Sequence, residues 1–142
     1  RIGRGQLLHL EEHIAQKQAI YRTYQKAFAD IDAITMNPLG GADAVANNWL
    51  SCLTLKRGCG VKPMDIFEAL QKENIDSRPI WNPMHNQPIY EGCDFIADPH
   101  GKENETGSVC MDIYNRGLCL PSDNKNTQED MERIIGIIRG LF

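Results

Sequence analysis

The chain has 142 residues, 42% of them apolar and 24% charged, with a formal net charge of −4. That is enough for one soluble domain with a buried core, and it leaves no basic footprint for nucleic acid. No apolar run approaches the roughly 20 residues of a membrane span, and no secretory leader precedes the first helical pattern.

Five cysteines (52, 59, 93, 110 and 119) are scattered without a CxxC pair, which argues against zinc and for free thiols in a reducing cytoplasm. The chain opens on Arg1-Ile2-Gly3-Arg4 without Met, as an excised or processed piece of a longer protein would. Leu7 to Phe28 reads as one long helix. Leu7, Leu10, Ile14, Tyr21, Tyr24 and Phe28 make an apolar seam that only Lys17 interrupts, opposite Glu12, Gln16, Arg22 and Lys26. About 33 Å of helix is long for so small a domain, so the helix is expected to bridge to something outside the chain. His9 and His13 lie one turn apart; without a third ligand nearby they read as solvated surface residues, not a metal site.

Asp30 to Asp43 reads as irregular, with a turn at Pro38 and Gly40-Gly41. Val45 to Leu55 alternates in part and predicts a strand covered on both faces, with Trp49, Leu53 and Leu55 on one of them. A short helix is predicted from Pro63 to Lys72. Pro63 sits at its first position, Ile66, Phe67 and Leu70 form its buried stripe, and Asn74 takes a left-handed cap.

The segment Arg78-Pro79-Ile80-Trp81-Asn82-Pro83-Met84-His85-Asn86-Gln87-Pro88 holds three prolines. They exclude a helix through it, disfavour a central strand and push Arg78, Asn82 and Gln87 towards extended backbone. A stiff loop carrying an indole, an imidazole, a guanidinium and three amides reads as a binding surface, or as a buried Trp with polar neighbours serving the loop backbone. Gly92 to Gly107 is polar and loose, with a turn at Asp98-Pro99-His100-Gly101. Ser108 to Asn115 predicts a short helix capped by Gly117, and Leu118-Cys119-Leu120 a brief strand stopped by Pro121. Thr127 to Ile138 is a clear helix with a capping box from Thr127 to Asp130 and an apolar face of Met131, Ile134, Ile135 and Ile138. This order of elements predicts an α+β domain, a short antiparallel or mixed sheet covered by helices.

No phosphate loop, GxSxG, HExxH or dinucleotide fingerprint is present, and no cysteine has the flanking context of a nucleophile. Four stretches carry the reading further. They are Ile2-Gly3-Arg4-Gly5-Gln6-Leu7, Asn48-Trp49-Leu50, the 78–88 segment, and Gly117-Leu118-Cys119-Leu120-Pro121-Ser122 followed by Thr127-Gln128-Glu129-Asp130. In this order and spacing the chain resembles the C-terminal small domain of the DegT/DnrJ/StrS family of pyridoxal-phosphate-dependent sugar aminotransferases, the fold-type I architecture, over residues 1–142.

The resemblance implies that the Schiff-base lysine and the phosphate contacts lie in a preceding large domain, since none of the seven lysines here matches its context. No catalytic, cofactor-binding or metal residue is carried over; pyridoxal 5′-phosphate would be held by that large domain and supply the electron sink. This chain would close one side of the pocket. His85 matches the family's loop histidine near the sugar nucleotide, able to donate to a hydroxyl or a diphosphate oxygen, or else a structural loop histidine. Trp81 would wall the pocket or pack in the core. Arg78 would attract phosphate or pair within the domain, and Asn86, Gln87 and Tyr90 are further candidates.

The implied activity of the whole protein is amino transfer, from glutamate, to a UDP-linked 4-keto-6-deoxy sugar in capsule, lipopolysaccharide or glycan synthesis. The implied assembly is a cytoplasmic homodimer, and the piece alone is inactive. The rival readings are a lysine-less family member acting as dehydratase or regulator, and a stand-alone interaction domain using the first helix.

Overall fold

The computed structural model describes residues 2–41, 43–96 and 108–142. The predicted turn at 98–101 lies outside them. Two helices open the chain, α1 (Ile2–Leu7) and α2 (Leu10–Ala27), followed by β1 (Ile34–Met36), β2 (Ser51–Leu55) and α3 (Pro63–Lys72). Then come β3 (Arg78–Pro79), α4 (Val109–Arg116), β4 (Gly117–Leu120) and α5 (Gln128–Arg139). The α+β class holds: the four strands form one sheet in the order β1-β2-β4-β3, antiparallel at every pairing.

The sheet has one apolar face. Leu53 lies opposite Leu118, Ser51 opposite Leu120, and Ile34 opposite Leu55. These side chains pack against Tyr24 and Phe28 of α2 and its end, Ile66 and Leu70 of α3, and Met131, Ile134 and Ile138 of α5. Cys52, Thr54, Cys119 and Gly117 point the other way, because successive residues of a strand face opposite sides.

Three sequence expectations are corrected here. The first helix is not continuous. At Leu8 and His9 the backbone bonds close to Gly5 and Gln6, one residue tighter than an α-helix, and this separates α1 from α2. The seam is buried only in its second half; Tyr21, Tyr24 and Phe28 are inside, while Leu7, Leu8 and Leu10 are exposed. Second, residues 30–43, expected to be irregular, contain β1, whose three residues are too few to show a period. Third, β2 starts at Ser51 rather than Val45. Asn48 adopts a left-handed φ of 51°, which ends any extended run before Trp49 and turns that indole outward, 61% exposed.

Lys17 interrupts the seam for a physical reason. Its Nζ donates to the carbonyl of Ser122. The hydroxyl of Tyr24 donates to the carbonyl of Pro121 at 2.8 Å, and the amide of Ser51 donates to Ser122 Oγ at 3.0 Å. Helix α2 and strand β2 thus hold the turn after β4 by groups that would otherwise be buried unpaired.

Helix α3 begins and ends as expected, with Asp65 accepting from the Lys62 amide at 2.7 Å and Asn74 left-handed at φ 58°. Helix α5 has its capping box: Thr127 Oγ1 accepts from the Asp130 amide at 3.1 Å, and Asp130 accepts from the Thr127 amide at 2.8 Å. Gly117 is not the left-handed cap that the sequence predicts. Its φ of −107° and ψ of 157° are extended, and it opens β4 directly.

On α4, Asp112 accepts from Arg116 and from Arg57, the latter at 2.9 Å, and its side chain is only 14% exposed. Hydrogen bonding from Arg116, then the charges of Arg116 and Arg57, hold its carboxyl below the ordinary range. A depressed carboxylate contributes stability that is full above its unfolded pKa, about 4, and is lost as pH falls towards the folded value. Asp112→Asn should therefore lower the urea midpoint at pH 7, by up to about 1 kcal/mol in stability. The gap to wild type should narrow as pH falls below about 4. A gap that stays constant from pH 7 to pH 3 would show that the ionised carboxylate contributes nothing.

Candidate functional site

The proline-rich segment leaves the sheet at its edge. Arg78 and Pro79 pair with Cys119 and Leu118 of β4, and an outer strand tolerates a proline because no further strand needs its missing N–H. The segment is therefore part strand, not wholly loop. The α-helix is absent as expected, yet two single 3₁₀ turns form, at Met84–Asn86 and Pro88–Tyr90. Gln87 between them is extended, at φ −86° and ψ 142°, as its following proline requires.

Ile80 anchors the segment against Gly117. A Cβ built on that glycine would lie 2.5 Å from Ile80 Cγ1 and 2.7 Å from the Ile113 carbonyl oxygen, so only glycine lets the segment and the end of α4 approach so closely. Beyond this anchor the chain turns outward. Trp81 is 60% exposed and rests against Trp49, ring centroids 5.8 Å apart and planes inclined by 30°. It does not pack in the core.

Arg78 is exposed and pairs with Asp76 at 2.8 Å, which offsets its charge. Asn86 donates to Asn82 Oδ1 at 2.8 Å and closes the first 3₁₀ turn, and Gln87 points its amide at Met84 Sδ, 3.7 Å away. Tyr90 is exposed at the end of the second turn.

His85 is half-buried. Its ring lies against Phe95, centroids 4.0 Å apart, and its Nδ1 is 3.9 Å from Cys110 Sγ on α4. The ring is gripped on one face and along one edge and is not sealed inside the domain.

The candidates fall into two neighbouring groups. Arg78 and Trp81 border a cleft of about 770 Å³, whose far wall is Cys119 to Asp123 with Asn126 and Arg133. His85, Asn86 and Tyr90 follow Trp81 along the segment and do not line that cleft. The cleft is also lined by Ser77 and Asn126, whose buried Oγ and Nδ2 have no hydrogen-bond partner among the described residues.

Two aromatic partners lie outside the sequence expectations. The expected strand puts Trp49 on a sheet face, and Phe95 stands in a polar stretch; an isolated aromatic in such a stretch is the signal that points to it. Among the described residues, lysine offers no cofactor anchor. Lys17 is engaged with Ser122, and Lys26, Lys56, Lys62, Lys72 and Lys125 stand in solvent. Nothing there desolvates an amine in a cleft, as a Schiff-base lysine requires. His9 and His13 stack at 6.1 Å, with His9 Nδ1 3.6 Å from Glu12, and no cluster of three metal-ligating side chains forms among the described residues.

The sequence profile of the DegT/DnrJ/EryC1/StrS aminotransferase family matches residues 1–139. The chain belongs to this family. EpsN of Bacillus subtilis, named as a pyridoxal phosphate-dependent aminotransferase, is 36% identical over 141 residues, covering 99% of this chain and 34% of that protein. GDP-perosamine synthase of Caulobacter vibrioides is 26% identical, over 96% of this chain and 34% of the synthase. Among solved structures, the aminotransferase TlmJ from Streptoalloteichus hindustanus superposes with a TM-score of 0.76 at 19% identity, covering 98% of this chain and 34% of TlmJ, and so shares the fold. The chain thus spans about a third of the length of the family members it matches. No described helix is long and apolar enough to cross a membrane.

Proposed function

We propose that this chain is the small domain of a pyridoxal-phosphate-dependent nucleotide-sugar aminotransferase. The family match over residues 1–139 carries the reading. The cofactor and its lysine belong to the two-thirds of the relatives' length that this chain does not span. The apolar residues left exposed on α1 and at the start of α2, Ile2, Leu7, Leu8 and Leu10, are where that larger part packs.

The proline-stiffened segment faces the substrate. Its two short turns are closed by local hydrogen bonds, so it offers its side chains without first becoming ordered. His85, held by Phe95, donates through Nε2 to a diphosphate or sugar oxygen; Trp81, Arg78, Asn86 and Tyr90 flank it. The substrate is a sugar nucleotide, a class supported by the name of the GDP-perosamine synthase relative. In the finer reading it is a UDP-linked 4-keto-6-deoxy sugar, glutamate is the amino donor, the product enters a surface polysaccharide, and the enzyme is a cytoplasmic homodimer.

The test uses the complete polypeptide loaded with cofactor. It should convert UDP-4-keto-6-deoxy-N-acetylhexosamine and glutamate to the amino sugar, and the 142-residue chain alone should not. His85→Ala should raise KM for the sugar nucleotide about 10- to 100-fold with little change in kcat, the loss of one hydrogen bond to a charged group. An unchanged KM in a folded variant would remove His85 from the site. No amino sugar from UDP-, GDP- or TDP-linked keto-sugars would sink the aminotransferase reading.

A further inference from the structure

We propose that Cys52 and Cys119 form a redox-active dithiol that a hydroperoxide converts, reversibly, to a disulfide across strands β2 and β4. The two residues are direct partners in the antiparallel register. Such partners have Cα atoms about 4.5–5.5 Å apart, inside the span a disulfide bridges. Their sulfurs already lie 3.6 Å apart, so the bond needs side-chain rotation and no new backbone pairing.

The pair is reachable. Cys119, itself only 4% exposed, lines the 770 Å³ cleft beside Arg78 and Trp81, and Cys52 is half-buried. Cys59, Cys93 and Cys110 sit on separate loops and on α4. The pair is also polarised. The Cys52 thiol donates to Cys119 Sγ, which favours the thiolate at Cys119 and, with burial, disfavours it at Cys52.

The steps balance. The thiolate of one member of the pair attacks a peroxide oxygen; the S–O bond forms, the O–O bond breaks and the departing alkoxide or hydroxide takes a proton. The partner sulfur then attacks the resulting sulfenic acid. The S–S bond forms, the S–O bond breaks, and hydroxide leaves as water with the partner thiol's proton. Two thiols lose two electrons, and the peroxide is reduced to an alcohol and water, or to two waters for hydrogen peroxide. A dithiol reductant restores the pair by exchange.

In the experiment, the complete polypeptide carrying this chain is reduced, desalted, treated with a small excess of hydrogen peroxide, alkylated and digested without reductant. A peptide pair joining Cys52 to Cys119 should appear first among the disulfides, two hydrogens lighter than the separate peptides, and vanish with dithiothreitol. In Cys52→Ser or in Cys119→Ser, dimedone should trap a sulfenic acid at the remaining cysteine of the pair. If both cysteines of the folded wild type are recovered alkylated after other thiols have oxidised, or the link forms only in denaturant, the dithiol is refuted. Folded Cys52→Ser and Cys119→Ser proteins that both take no dimedone at the remaining cysteine refute the peroxide route.

Discussion

Leu53→Ala is expected to cost about 2–5 kcal/mol in urea unfolding, the range for a fully enclosed leucine whose cavity cannot close. Leu53 has no exposed surface and sits on a central strand. It lies between Met36 on one neighbouring strand and Leu118 on the other, beneath the layer formed by α2, α3 and α5. Both flanking strands are tied by backbone hydrogen bonds, so neither can move in to fill the space. Val45→Ala is the matched control. Val45 is 92% exposed, and its loss should stay within about 0.5 kcal/mol. Equal midpoints for the two variants would show that the sheet face facing the three helices is not the core.

Gly117→Ala should destabilise by roughly 1–3 kcal/mol and also displace the candidate site. The added methyl meets two atoms inside 3.0 Å, and neither is the loose end of a side chain. One is the carbonyl oxygen of Ile113 in the last turn of α4. The other is Cγ1 of Ile80, next to the backbone of the segment that carries Trp81 and His85. Relief requires the α4 terminus, the segment, or both to move. The urea midpoint should fall without a change in slope, and tryptophan emission should shift as Trp81 leaves Trp49. A lowered midpoint with unaltered emission would place the whole adjustment in α4. No change in either would mean that the close approach does not exist.

Local chemistry determined the elements that stand on local chemistry. Helix α3 followed from a proline at its first position and a left-handed asparagine after its end, and α5 from Thr127 and Asp130 with a four-residue apolar stripe. The exclusion of an α-helix from 78–88 followed from proline alone, and the family was readable because its signatures are spread in order along the chain. What failed involved partners distant in sequence. Three residues of β1 are a strand only because β2 lies beside them. Asn48 turns left-handed and sends Trp49 outward to meet Trp81, which no period within 45–55 could reveal. Gly117 is required by Ile80, 37 positions earlier, and not by the helix it follows. The pairing of Cys52 with Cys119 and the seating of His85 on Phe95 likewise exist only once β4 has been laid between β2 and β3. Periodicity and capping act over a few residues of one backbone, whereas close approach, stacking and thiol pairing depend on which segments the sheet brings together.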